Sequence, residues 1–220
     1  MAAPLPDGPE AVRAILPLTE AAKARLSAYV DLIRRWQPVK NLVAPSTLGD
    51  IWRRHMADGA QALAAFPAAR RWLDLGSGAG IPGLVTAILL ADEPSARVTL
   101  VESNGRKAAF LLTVARELKL PVRVLNERIE QVSARSGAEI GPVEAVSARA
   151  LSPLSKLLEQ AEPWLTQGAV GVFHKGQDFA SERDTATLSW EFDLVEHPSR
   201  IEPDSRIAVI RGLARRRAAG

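Results

Sequence analysis

The 220-residue sequence predicts an α/β fold, a seven-stranded, mostly parallel sheet flanked by helices, with a helical extension on its N-terminal side. Three observations predict it. Arg71–Gly83 joins a short apolar run (Trp72, Leu73, Leu75) to a glycine-rich turn, and an apolar, alanine-rich helical stretch follows from Ile81 to Ala91. Strand-like runs then recur at Arg97–Val101, Val122–Leu125, Gly141–Ser147 and Gly168–His174, with helical patterns between them, as parallel crossovers require. Finally, Trp190–Glu196 and Arg206–Ile210 read as an antiparallel hairpin at the sheet edge.

Residues 1–17 are rich in Pro, Ala and Gly and are expected to be loose. The first ten lack a basic flank and an apolar segment, so no secretory signal is expected. Thr19 can cap a helix running to Trp36, with Leu26, Val30 and Ile33 on one stripe and Gln37-Pro38 as its end. A second helix is predicted from about Ser46 to Phe66, with Leu48, Ile51, Trp52, Met56 and Leu63 inward and Arg53 and Arg54 partly outward. His55 falls at the border of the two faces, where a histidine is as readily structural as functional. Arg54 and Asp58, four residues apart, can pair on the surface. Residues 1–70 thus make the helical extension, 71–212 the core, and 213–220 a basic tail expected to be disordered.

Within the turn, Gly78, Gly80 and Gly83 formally satisfy the G-x-G-x-x-G spacing of a dinucleotide site, a weak signal by itself. Asp74, two residues before Gly76, separates the alternatives. A carboxylate entering a D-x-G-x-G-x-G turn through Gly76, Gly78 and Gly80 can reach the cationic amino acid part of S-adenosylmethionine, directly or through water. The same carboxylate would repel a pyrophosphate. A strand-ending aspartate that merely caps the turn is the simpler alternative. The methyl-donor reading makes this a Rossmann-like class I S-adenosylmethionine-dependent methyltransferase. In such a fold Glu102, ending the second strand, can accept from both ribose hydroxyls. Asn126–Glu130 follows the third strand and packs beside the adenine, and Arg149 stands where the methyl group emerges. Arg106 and Lys107 open a helix, where cations oppose the dipole, so a phosphate partner or plain solvation must accommodate them. The Asn/Asp-Pro-Pro-aromatic run usual in DNA amino-methylating enzymes is missing.

No apolar run approaches the ~18 residues of a membrane span, and no membrane partner is expected. With no cysteine, the chain lacks disulfides, thiolate zinc ligands and the nucleophile of cytosine-C5 methyl transfer. A cytoplasmic monomer without a metal is expected. Net charge is +3, unevenly spread: residues 1–71 carry ten Lys/Arg against six Asp/Glu, 72–204 thirteen against nineteen, and 205–220 five Arg and no acid. Basic ends around an acidic body suit a polyanionic partner, although solubilising charge accounts for the counts equally well.

Several short signatures occur in order: Asn41-Leu42, Arg54-His55 with Asp58, Asp74–Gly83, Glu102-Ser103, Arg128-Ile129-Glu130, Ser147-Ala148-Arg149-Ala150 and Lys175-Gly176. Together they resemble the bacterial ribosomal RNA small subunit methyltransferase G family (glucose-inhibited division protein B), over about Leu26 to Arg211. The resemblance implies donor contacts at Gly76, Ile81, Ile129, Glu130 and Arg149. It also implies that the substrate is a guanine of 16S rRNA, within the small ribosomal subunit, methylated at N7. Guanine N7 has a lone pair and no proton, so its attack on the methyl group needs no general base. Alignment and exclusion of water can suffice. Arg149, Lys175, His55 and Arg54 are therefore positioning candidates. Gly59, His174 and the Ser147-Ala148 loop depart from the family pattern, Gly59 standing where a serine is usual and His174 where an aliphatic residue is. A small-molecule methyltransferase and a non-catalytic donor-binding RNA regulator remain as alternatives, with an NAD oxidoreductase behind them.

Overall fold

The structure is a computed structural model and describes residues 7–135 and 140–216. Five parallel strands form the body of one sheet: β1 (Arg71–Leu75), β2 (Arg97–Val101), β3 (Val122–Leu125), β4 (Ala145–Arg149) and β5 (Val170–Lys175). Two more, β6 (Trp190–Pro198) and β7 (Arg206–Arg215), form the antiparallel hairpin, and β7 slots between β5 and β6. The order β3-β2-β1-β4-β5-β7-β6 reverses between β1 and β4, so a crevice opens at the carboxyl ends of those strands.

Both faces of the sheet are covered, which is why its central strands are apolar almost without alternation. One face packs Trp72 and Leu100 against α2 (Glu20–Lys40), α4 (Gly83–Leu89) and α5 (Gly105–Glu117), with Tyr29, Ile33 and Phe110 fully buried. The other packs Leu73, Leu75 and Val146 against α7 (Leu154–Leu165) and α8 (Phe179–Ala186). Short helices α1 (Pro9–Arg13), α3 (Asp58–Ala65) and α6 (Ile129–Ala134) complete the set. Among the described residues no helix is long and apolar enough to cross a membrane.

The N-terminal region differs from its sequence expectation in three ways. Residues 9–13 are helical, and Ala11 and Val12 are fully buried against the following segment, so this part of the chain is anchored rather than loose. Thr19 does cap α2, accepting from Ala22 N at 3.1 Å, but the helix continues through Pro38 to Lys40. Its exit is built by the Gln37 amide, whose oxygen accepts from Leu42 N and Val43 N while its nitrogen donates to Val43 O, and Asn41 takes a left-handed φ of 45°. The predicted single helix from Ser46 to Phe66 is in fact three pieces: a 3₁₀ turn (Pro45–Asp50), a π-helical turn (Trp52–Ala57) and α3. Arg54 and Asp58 do not pair with each other there; each finds a partner far away in sequence.

Two boundaries also shift. β4 starts at Ala145 rather than Gly141, because the Glu144 carboxylate turns back to accept from Arg70 N and Arg71 N at 2.6 and 3.0 Å. At the other end, Leu213–Arg215 belong to β7 and not to a disordered tail; residues 217–220 lie outside the described residues.

The first turn of α4 sits directly on β1 and β2. A Cβ added at Gly83 would lie 2.4 Å from Leu100 Cδ2 and 2.7 Å from Asp74 Oδ2. Gly83→Ala is therefore expected to destabilise the fold by about 1–3 kcal/mol through overpacking. Thermal or urea unfolding measures this; an unchanged midpoint would mean that α4 lifts off the sheet without cost.

Candidate active site

Two cavities lie along the crevice. The first, about 260 Å³, is lined by Gly76, Gly78, Glu102, Lys107, Ile129, Glu130, Leu151 and Gln160. The second, about 530 Å³, is lined by Arg54, Asp58, Arg149, Lys175, Glu182 and Glu202 among others, and shares Leu151 with the first.

The glycine turn builds one wall of the smaller cavity. Gly76, Gly78 and Gly80 have φ of 66°, 57° and 94°, conformations that favour glycine. Their environments differ. Above Gly78 a Cβ would meet only the Gly76 carbonyl, at 3.8 Å, which leaves room for a ligand to approach the backbone. Gly76 lies under Leu151, and Gly80 is crowded by Leu84 and Tyr29, whose hydroxyl donates to Ala79 O. Glu102 ends β2 nearly buried; its Oε2 accepts from Gly78 N at 2.8 Å and its Oε1 from Asn104 N at 2.7 Å. Each carboxylate oxygen keeps a second lone pair for a hydroxyl donor. Glu130, on the rim, accepts from Gln160 Nε2, and the Gln160 amide oxygen accepts from Ser152 Oγ. Gln160 thus bridges the two cavities, a role that nothing in its helical sequence context signals.

Asp74 departs from the simplest expectation. It is 1% exposed, lines neither cavity and accepts from Ser147 Oγ at 2.6 Å, while its other oxygen is buried without a hydrogen-bond partner beside Gly83. A direct contact to a ligand in the smaller cavity is not available to it. Burial raises its carboxyl pKa to about 6, against the lowering effect of the hydrogen bonds. Ile81 also lines neither cavity; its side chain packs toward Gly59, where an added Cβ would stand 3.2 Å from Ile81 Cγ2 and 3.0 Å from Val85 Cγ2. A side chain there would require Val85 and Ile81 to give way by a few tenths of an ångström, so Gly59 suits the bulk of Ile81 and Val85.

In the larger cavity every predicted cation already has an acid. Arg149 Nε is 3.2 Å from Asp58 Oδ2, Lys175 Nζ pairs with Glu182, and Arg54 Nη1 is 2.5 Å from Glu202 Oε1. Lys175 also donates to Ser152 O at 3.0 Å. Sequence reading found the cations but not their acids: Glu202 lies 148 residues from Arg54, and Glu182, on the helix that follows β5, carries no motif that ties it to Lys175.

His55 lies behind this wall rather than in the cavity. Thr47 Oγ1 spends its proton on Ala44 O at 2.7 Å, so His55 Nε2, also 2.7 Å away, must donate to that oxygen. His55 Nδ1 is then unprotonated and accepts from Arg149 Nη2 at 3.3 Å. Burial, reinforced by the Arg149 charge, lowers the His55 pKa to about 4, which agrees with this neutral tautomer. Arg149 Nη2 also donates to Arg54 O at 3.3 Å, while Nη1 is buried with no partner. His174 stands opposite Arg149 in the β4–β5 register and bonds to Asp58 O through Nε2 at 2.9 Å, so it helps to anchor the residue that anchors Arg149.

Among the described residues no three His, Cys, Asp or Glu side chains gather as metal ligands. The chain matches, over residues 22–204, the GidB family described as rRNA small subunit methyltransferase G. It is 45% identical to the ribosomal RNA small subunit methyltransferase G of Brucella canis, over 94% of this chain and 96% of that protein, and equally to that of Brucella abortus. Among solved structures it resembles cofactor-bound Rv0187 from MTB (TM-score 0.57, 14% identity, 85% of this chain and 89% of that one). It also resembles the Methanococcus jannaschii fibrillarin pre-rRNA processing protein (TM-score 0.52, 16% identity, 66% and 68%). At these identities the likeness is one of fold, and the fold is the Rossmann-like class I methyltransferase sheet.

The buried Asp74 carboxyl gives a pH signature. The folded form holds this proton more tightly than the unfolded chain, whose ordinary value is 3.8. Its contribution is therefore fully present below about pH 4 and lost as the pH rises through about 6. Relative to Asp74→Asn, the ligand-free protein should lose up to about 3 kcal/mol of stability between pH 4 and pH 7. Urea unfolding of both proteins across that range checks this, and parallel curves would refute it.

Proposed function

Since the chain belongs to the rRNA small subunit methyltransferase G family, we propose that it transfers a methyl group from S-adenosylmethionine to N7 of a guanine in 16S rRNA. The family match supports an rRNA methyltransferase. The observation that carries the donor site is the open backbone at Gly78 with the Glu102 carboxylate fixed on its N–H, on the wall of the smaller cavity.

On this reading Glu102 accepts from the ribose hydroxyls, Ile129 and Glu130 border the adenine, Gly78 lets the donor chain pass close to the backbone, and Gly76 seats Leu151 against the turn. Asp74 acts from beneath, through the turn it supports, and Gly80 and Ile81 shape that turn by packing. The donor supplies a sulfonium methyl group, which is electrophilic without activation. The N7 lone pair forms the new C–N bond, the C–S electron pair stays on sulfur, and the positive charge passes to the guanine ring. No proton moves, so no base is needed. A cation against N7 would oppose that charge, so Arg149, which lines the larger cavity, is assigned to the donor carboxylate or guanine O6. Lys175, tied to Ser152 O and Glu182, fixes the loop after β4. The target guanine must be unstacked to enter. A single 23.7 kDa domain reads little of the surrounding RNA by itself, so the substrate is proposed to be the small subunit particle and the enzyme a cytoplasmic monomer.

The test is tritiated methyl transfer to small subunits from cells lacking the protein, with bare 16S RNA alongside. Label at a guanine cleavable by borohydride and aniline is expected; label in neither RNA form would overturn the assignment. In the same assay Arg149→Ala should reduce transfer at least ~100-fold, the scale of losing one oriented electrostatic contact. Near-normal transfer by that variant would remove Arg149 from the mechanism.

A further inference from the structure

The three ion pairs of the larger cavity are not equivalent. The side chains of Arg149 and Asp58 are 25% and 13% exposed, and those of Lys175 and Glu182 are 7% and 23%. Arg54 and Glu202 are 38% and 37% exposed, so both members of that pair face solvent at the cavity mouth. Arg54 also differs in its connections. Arg53, beside it, has its own acid in Asp50, with Nε and Nη2 at 2.8 and 2.5 Å from Oδ2, and lies 4.0 Å from Glu202. Glu202 is the acid that neutralises Arg54.

The loop carrying Glu202 does not depend on this pair. Gln61 Oε1 accepts from Arg200 N at 2.8 Å and Gln61 Nε2 donates to Ser199 Oγ at 3.2 Å. Ser199 Oγ in turn accepts from Ile201 N and Glu202 N, and Arg53 reaches Ile201 O. The loop is pinned at its base, and the Glu202 carboxylate is left to project onto Arg54.

We propose that Arg54 is the binding site for a backbone phosphate of the RNA next to the target guanine, and that Glu202 holds that place until the phosphate displaces it. This rests on the rRNA methyl-transfer function proposed above. A phosphodiester carries the same single negative charge as the carboxylate and offers the same forked geometry to a guanidinium. Exposed ion pairs are weak, so the exchange is easy at Arg54, while removing an acid from the more enclosed Arg149 or Lys175 would strand a buried charge. The placeholder also keeps Arg54 extended across the cavity mouth in the free enzyme. It raises discrimination as well, because an anion that makes no other contact cannot displace a tethered carboxylate.

A double-mutant cycle tests this in the particle methylation assay. Glu202→Gln should lower the KM for small subunits about two- to fivefold with kcat unchanged, the range set by one exposed pair. Arg54→Gln should raise KM and flatten its salt dependence by about one released ion. In the Arg54→Gln background the gain from Glu202→Gln should vanish. An equal gain in both backgrounds would make Glu202 a general repulsive charge. A higher or unchanged KM for Glu202→Gln would make it a support or a bystander. Any of these three overturns the proposal. If the wild-type protein transfers no methyl group to the particle, it is the rRNA methylation function itself that fails. Melting curves of each variant confirm that the pinned loop still folds.

Discussion

The site depends on the restraint of one guanidinium. Arg149 ends β4, and a single stretch of the N-terminal extension grips it through the Asp58 carboxylate, the Arg54 carbonyl and the neutral ring of His55. Sheet and extension are thereby joined at the point where chemistry is expected. The grip is made by the π-helical turn and the first residue of α3, which present a carbonyl, a ring nitrogen and a carboxylate toward one side chain. It needs His55 to be uncharged, which its burial and its hydrogen bond to Thr47 ensure.

Around this restraint, electrostatics divides the cavity into fixed and exchangeable parts. Enclosed pairs such as Lys175–Glu182 act as framework, since separating them would leave a charge without compensation. The pair at the mouth costs little to break. The cations that a sequence reader would assign to substrate binding are thus mostly occupied by the protein itself. What lies open to a ligand at the cavity mouth is the solvent-facing fork of Arg54.

Much of the architecture was legible from local pattern. The apolar runs located all seven strands, the Asp74–Gly83 motif marked the turn between β1 and α4, and α7 was read to its residue limits because its apolar spacing is regular and Pro153 stands before it. Failures occurred where distant groups decide local structure. The Gln37 amide extends α2 past Pro38, Glu144 delays β4, and the π turn hides inside a sequence with ordinary helical spacing. Glu202 meets Arg54 only after the chain returns from the β6–β7 loop, and Glu182 meets Lys175 across the turn between β5 and α8. Asp74 was located correctly on β1, but its burial cannot be seen from the motif, since it follows from how closely Gly83 lets α4 approach.

Leu151 has a consequence for the order of events. Its side chain rests on Gly76, follows Ala150 in a left-handed conformation (φ 51°), and forms part of the wall of both chambers. Any shift of that wall to admit one ligand changes the room left for the other. Thermodynamic linkage makes such an influence mutual: if the first ligand tightens the second, the second tightens the first by the same factor. A spent donor and a methylated base would then also govern each other's departure, so a single leucine can tie turnover to release.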